Sequence, residues 1–191
     1  MTIVETICAA GYALPPMVIN KSTTQYKCWY MNLTATIAGY CFAFSPNGWT
    51  DDTVALKWLT ELFKPCTAFL APLSLLLILD GHGSHIAWEF VTLCRETTII
   101  LFCLLSQSIH LLQPLNIEIF SSLENTYGWE VDKYSRNSEE RIKKSVFIPL
   151  LHDARIMAIT KHNIEQGFAT TGIMPFNSQR VYEKIKPGND N

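Results

Sequence analysis

Asp80 is the residue whose type and place best suit chemistry. It ends the apolar run Leu77–Ile78–Leu79 and opens Gly81–His82–Gly83–Ser84–His85. A carboxylate at the carboxyl end of a strand projects into the crevice beyond the sheet, where its oxygens are hard donors for a divalent cation. Taken alone, the stretch reads equally well as a turn or as the cap of a following helix. Downstream, His110–Leu111–Leu112–Gln113–Pro114–Leu115–Asn116 holds a second candidate ligand, Asn116. Its amide oxygen can coordinate a metal, but it brings no negative charge, and its nitrogen repels the ion. His82 and His85 have a loose HxxH spacing with no third ligand at a suitable distance. They read as turn or site-lining residues rather than zinc ligands. No GxSxG, GxxxxGK(S/T) or GxGxxG pattern occurs, so serine-hydrolase, P-loop and dinucleotide chemistry have no support.

The elements that must hold these residues follow an α/β pattern. Thr2–Ala9 and Met17–Asn20, separated by Gly11 and Pro15–Pro16, predict two adjacent strands with a turn. Residues 21–47 predict at most one further short strand, and Pro46–Asn47–Gly48 a turn. Thr50–Asp51–Asp52 predicts a helix start, with a capping hydroxyl and acids in the first turn. Val54, Trp58, Leu59, Leu62 and Phe63 form its expected buried face, and Lys64–Pro65 its expected end. Leu73–Leu79 suits a central strand covered on both faces. Ser84 is expected to cap a helix turning Ile86, Phe90 and Leu93 or Cys94 inward, before a second central strand at Thr98–Leu104. Strand, helix and strand make a βαβ unit in a mixed sheet. After Pro114 the spacing predicts a helix through Ile117, Phe120, Leu123 and Tyr127. Another is predicted from Ser145 to Ile159, with Pro149 in its first turn and Leu150, Ala154 and Met157 buried. Asn163 is expected to cap a short last turn ending at Gly167, and Gly172–Asn177 to be extended.

With 191 residues, 48% of them apolar and 17% charged, the chain can build one domain with a sizeable core. Its formal net charge is −2, from 15 basic and 17 acidic residues. A self-sufficient DNA-binding domain is usually basic, so nucleic-acid contact would come from local patches or from another module. Arg141–Ile142–Lys143–Lys144 is one such patch, read first as a solvated helix start. The six cysteines include no CxxC pair and are expected to be buried thiols in a reducing compartment, not a secreted disulfide framework. The five tryptophans are expected in the core rather than stacked on bases. Asn32–Leu33–Thr34 is a formal glycosylation sequon. The N-terminus lacks the basic flank and long apolar run of a signal peptide. Ala68–Leu79 is shorter than the roughly 20 residues a bilayer crossing needs. A soluble protein is expected.

Five segments, in order, carry a resemblance to a known family. They are residues 2–21, SPNGWTDD…WLTELF at 45–63, LILDGHGSH at 77–85, HLLQPLNIEIF at 110–120 and GFATTGIMPFNSQRV at 167–181. This set resembles the DDE transposases, in the pogo, Tigger and jerky branch related to centromere protein B. The resemblance implies a ribonuclease H-like α/β fold whose first strand is missing from this chain. It implies a core over 1–135 and a C-terminal helical extension of the same domain over 136–191. The implied activity is cleavage and strand transfer of DNA by a nuclear, mobile-element enzyme. Two Mg²⁺ or Mn²⁺ ions, about 4 Å apart, would activate the attacking oxygen and stabilise the leaving one.

The resemblance places the second family acid at Asp80 and the third at Asn116, which has no charge to offer. It gives Gly81 and Gly83 the role of letting backbone approach nucleic acid or the metal's water shell. The first acid, in an N-x-D-E-T-G motif before the segment matching 2–10, is expected to be absent, as is an upstream helix-turn-helix region. Glu5 matches no catalytic position. Glu118 lies two residues beyond Asn116, on the opposite face of a helix. Leu105–Ser106–Gln107–Ser108 departs from the family's L-P-P-x-S. The expectation is therefore a metal site too poor in carboxylates for cleavage. What would remain is DNA binding, or interaction with full-length transposase relatives. A residually active nuclease and a decayed fragment without a stable fold are the readings set against it.

Overall fold

A computed structural model of the chain describes residues 1–23, 39–70, 72–81, 87–138 and 142–185. They fall into two compact units, Met1–Thr6 with Leu14–Ser106, and Ile7–Ala13 with Gln107–Asn191. Trp29, Asn32, His82–Ile86 and Arg141 lie outside the described residues.

The N-terminal residues form four short strands: β1 (Thr2–Val4), β2 (Ile7–Cys8), β3 (Tyr12–Ala13) and β4 (Met17–Lys21). In the first unit β1 and β4 pair antiparallel, with Thr2 opposite Ile19 and Val4 opposite Met17. The expected strand pair is present, but Gly11 does not turn one strand into the other. With φ of +86° it closes the separate β2–β3 hairpin, which belongs to the second unit. The next strand, β5 (Cys41–Ser45), lies parallel to β4 and gives the order β1–β4–β5. Met17, Val18 and Ile19 on the middle strand are fully buried.

The following helix starts one residue later than its first capping candidate. Asp51, not Thr50, caps α1 (Asp52–Lys57), its carboxylate accepting from the Val54 N–H at 2.8 Å. Val54, Trp58, Leu59, Leu62 and Phe63 are all buried, as their spacing requires. Pro65 does not end the helix. The chain widens into π-type turns over Trp58–Phe63, continues as α2 (Lys64–Thr67) and tightens into a 3₁₀ turn at Ala68–Leu70. In the widened part the Lys64 N–H reaches back five residues to the Leu59 carbonyl. The register shift lets proline enter at the start of α2, where its missing N–H is tolerated.

The βαβ unit is formed by β6 (Leu75–Asp80), α3 (Trp88–Glu96) and β7 (Ile99–Leu104), with β6 and β7 parallel. Phe90 and Cys94 are the buried face of α3. Thr98, between α3 and β7, has φ of +56°, so the strand begins one residue later than its β-branched run suggests. Among the described residues this strand pair is covered on one face. Leu77 and Ile99 are buried, but Leu76, Ile100 and Phe102, which share the other face, are 60%, 57% and 54% exposed. Hydropathy alone makes both faces of such a run look internal, because periodicity cannot count the layers above it.

The second unit is helical: α4 (Ile109–Leu112), π-type turns at Leu115–Ile119, α5 (Phe120–Asn137), α6 (Lys144–Ala158), α7 (Lys161–Thr170) and α8 (Gln179–Tyr182). Ile119, Ile164 and Phe168 form a core, with Ile7, Ala9, Ala13, Leu115, Ile159 and Ile173 packed against it. Leu123 is buried as its spacing predicts, but with the wide turns Ile119 enters the core while Ile117 and Phe120 are half-buried. In α6, Ile148, Leu151, Ala154 and Ala158 face inward with Leu150, while Met157 is 54% exposed. Thr160, not Asn163, caps α7: its hydroxyl accepts the Asn163 N–H at 3.2 Å. The Asn163 side chain instead donates to the Ala158 carbonyl.

Residues 172–177 are folded back rather than extended. Gly172 has φ of +68°, its N–H bonds the Ala169 carbonyl, and the Ile173 N–H bonds that of Phe168. These are the paired bonds of a Schellman cap. The Asn177 N–H then closes the turn on the Gly172 carbonyl at 2.8 Å. Two composition-based expectations also change. Among the described cysteines only Cys94 is buried; Cys8, Cys41 and Cys66 are half-buried and Cys103 is exposed. Trp58 is in the core, whereas Trp49, Trp88 and Trp129 are exposed.

Candidate metal-site residues

Asp80 is the last residue of β6, half-buried and in register with Leu104 of β7. By strand alternation its side chain shares the face of Leu76 and Ile78. The parallel pairing with β7 therefore fixes both its height along the strand and its side of the sheet. Gly81 follows because there is no room for more: a Cβ there would lie 3.1 Å from the Leu104 carbonyl oxygen. The close approach that glycine permits is thus to the neighbouring strand of the same unit. Gly83, His82 and His85 fall outside the described residues.

Asn116 stands in the first turn after Pro114, exposed, with its N–H on the Gln113 carbonyl at 3.1 Å. That turn is held by α7. A Cβ on Gly167 would lie 3.0 Å from the Pro114 carbonyl oxygen and 3.4 Å from the Glu118 Cβ. Only a glycine lets α7 pack this closely on the turn that carries Asn116. The same contact orients Glu118, whose stem faces α7 while Asn116 faces outward. Two residues span nearly half a turn even in the wider helix, so Glu118 does not stand in for Asn116. Glu5, buried in the first unit, follows β1.

The expected pair is thus divided between units: Asp80 belongs to the first and Asn116 to the second, each positioned by contacts within its own. A pair of hard divalent cations needs several oxygen donors and enough negative charge to offset their mutual repulsion. Among the described residues no group of three or more His, Cys, Asp or Glu side chains could hold a metal. One carboxylate and one amide do not fit a two-cation centre. What sequence reading missed lies in the packing: the Gly81–Leu104 and Gly167–Pro114 approaches, whose only signal is a glycine inside a motif.

A curated protein of Cochliobolus lunatus named MFS-type transporter clz9 is 31% identical over 185 residues. The match takes in 97% of this chain but 20% of that protein, so the chain spans about a fifth of its relative's length. Among the described residues no helix is long and apolar enough to cross a membrane. No solved structure matches the chain. The DDE superfamily endonuclease pattern matches residues 1–168, a span that runs from β1 to Phe168 and includes both Asp80 and Asn116. The chain belongs to the DDE superfamily endonuclease family.

Proposed function

We propose that this chain is a transposon-derived domain of the pogo, Tigger and jerky branch that associates with DNA but does not cut it. The family generally works on nucleic acid with divalent metals. The observation that carries the reading is the donor set. Asn116 occupies the turn that the resemblance assigns to the third acid, and among the described residues no carboxylate cluster makes up the loss. Asp80 retains the position of the second acid at the rim of the sheet.

A ribonuclease H-like fold is supported by the antiparallel β1–β4 pair and the parallel β6–α3–β7 crossover. The strands of the first unit form a three-stranded sheet, β1–β4–β5, and a two-stranded one, β6–β7. In this reading residues 1–135 are the core and 136–191 its helical extension. The partners are DNA in the nucleus and full-length transposase relatives.

Fluorescence anisotropy with a labelled duplex tests the proposal. Association that weakens steeply with salt and is unchanged in Asp80→Ala is the expected result, because phosphate contact does not use the metal position. No association at low salt contradicts it. The exposed apolar face on β6–β7 favours one other reading, a decayed fragment. A cooperative thermal melt rejects that reading, and a broad non-cooperative one supports it.

A further inference from the structure

We propose that Ser145 is a phosphorylation site for a basophilic protein kinase, and that its phosphate firms the first turn of α6. Ser145 follows Arg141–Ile142–Lys143–Lys144 and precedes Val146. Cations one, two and four residues ahead of a hydroxyl, with an apolar residue behind it, suit a kinase whose acceptor groove is lined by carboxylates. Ser145 is exposed, and among the described residues no hydrogen bond holds its hydroxyl. Ile142 and Lys143, just before the helix, lie outside regular structure, as the extended acceptor segment of a kinase requires.

The start of α6 is built to open. Lys143 holds the N-cap position with extended backbone, φ of −91° and ψ of 163°. An ammonium has no oxygen to accept a first-turn N–H, and no acid follows it in that turn. The positive end of the helix dipole therefore meets charge of the wrong sign. The Val146 and Phe147 N–H groups share the Lys143 carbonyl, at 3.0 and 3.2 Å. Pro149 has no N–H to offer the carbonyl of Ser145. Beyond this turn Ile148, Leu150 and Leu151 are buried and anchor the helix, so opening stops there. Ser135 makes the contrast. It is exposed between Lys133 and Arg136, yet it lies in the last turn of α5, where a phosphate would meet the negative end of the helix. In the transfer, the Ser145 hydroxyl oxygen attacks the γ-phosphorus of ATP. The new O–P bond forms, the bond to the bridging oxygen breaks, ADP leaves, and the hydroxyl proton passes to the kinase's catalytic carboxylate. The product places roughly two negative charges beside the open N–H groups of the first turn.

The test incubates the full chain with Mg²⁺, ATP and the catalytic domain of a protein kinase C, and in parallel with an acid-directed casein kinase. The expected product is a single phosphate on Ser145, located by mass spectrometry, from the first enzyme only. Ser145→Ala should lose that label, and mapping the unaltered chain does not depend on the variant folding. Amide hydrogen exchange across residues 144–148 should slow by about fivefold in the phosphorylated chain. No phosphate on Ser145, labelling of Ser135 in its place, or equal labelling by the acid-directed enzyme overturns the assignment. Unchanged exchange in a chain phosphorylated at Ser145 overturns the firming of the turn.

Discussion

Gly167 shows how one small residue governs the place of a candidate ligand. Its missing side chain lets α7 lie against Pro114, and that contact sets the turn from which Asn116 projects. Gly167→Ala should lower stability by about 1–3 kcal/mol in urea unfolding, since the nearest atom is a backbone carbonyl that yields little. An unchanged midpoint would show that α7 does not hold the turn. Thr98 makes the opposite case, a β-branched residue held at a φ that suits glycine. Thr98→Gly should raise stability by up to about 1 kcal/mol by relieving that strain. Neither effect was legible in the sequence, because both depend on a close approach or a dihedral angle. Asp80 was legible, since an apolar run ending in Asp–Gly marks the rim of a strand wherever it occurs.

Elements were read best where pattern and packing coincide. The five apolar residues of the helix after Asp51 are all buried, and the β6–α3–β7 crossover is present in parallel register. The cap was misplaced by one residue because Thr50 and Asp51 both carry suitable oxygens, and only geometry selects the carboxylate. Asp51→Ala should cost about 1 kcal/mol, read as a lower denaturant midpoint, whereas Thr50→Ala should cost almost nothing. Equal losses would return the cap to Thr50. Pro65 was misread because a rule for regular α-helices does not cover a chain that widens its turns before the proline. In α6 nearly every position from Val146 to Leu151 is apolar apart from Pro149, so periodicity fixed the helix but not its phase. Packing settled the phase with two alanines, Ala154 and Ala158, which allow close approach, while Met157 points outward.

At the scale of the whole molecule, two strands that read as the centre of a sheet form a pair with one open apolar face. Leu76, Ile100 and Phe102 carry that face. Exposed apolar strands of this kind promote association between chains. Phe102→Lys should reduce light scattering at high concentration and change stability by no more than about 0.5 kcal/mol. Unchanged scattering would show that the face is not the adhesive one. Family membership was legible because five short motifs keep their order along the chain. The uncovered sheet face was not, because burial is a property of neighbours. The proposed loss of cleavage follows from charge, because one carboxylate and one amide offer too little to offset two hard cations. Incubation of supercoiled plasmid with the purified chain, in Mg²⁺ and then in Mn²⁺, tests this most directly. The account predicts no nicked product above the metal-only control; metal-dependent nicking that disappears in Asp80→Ala would contradict it.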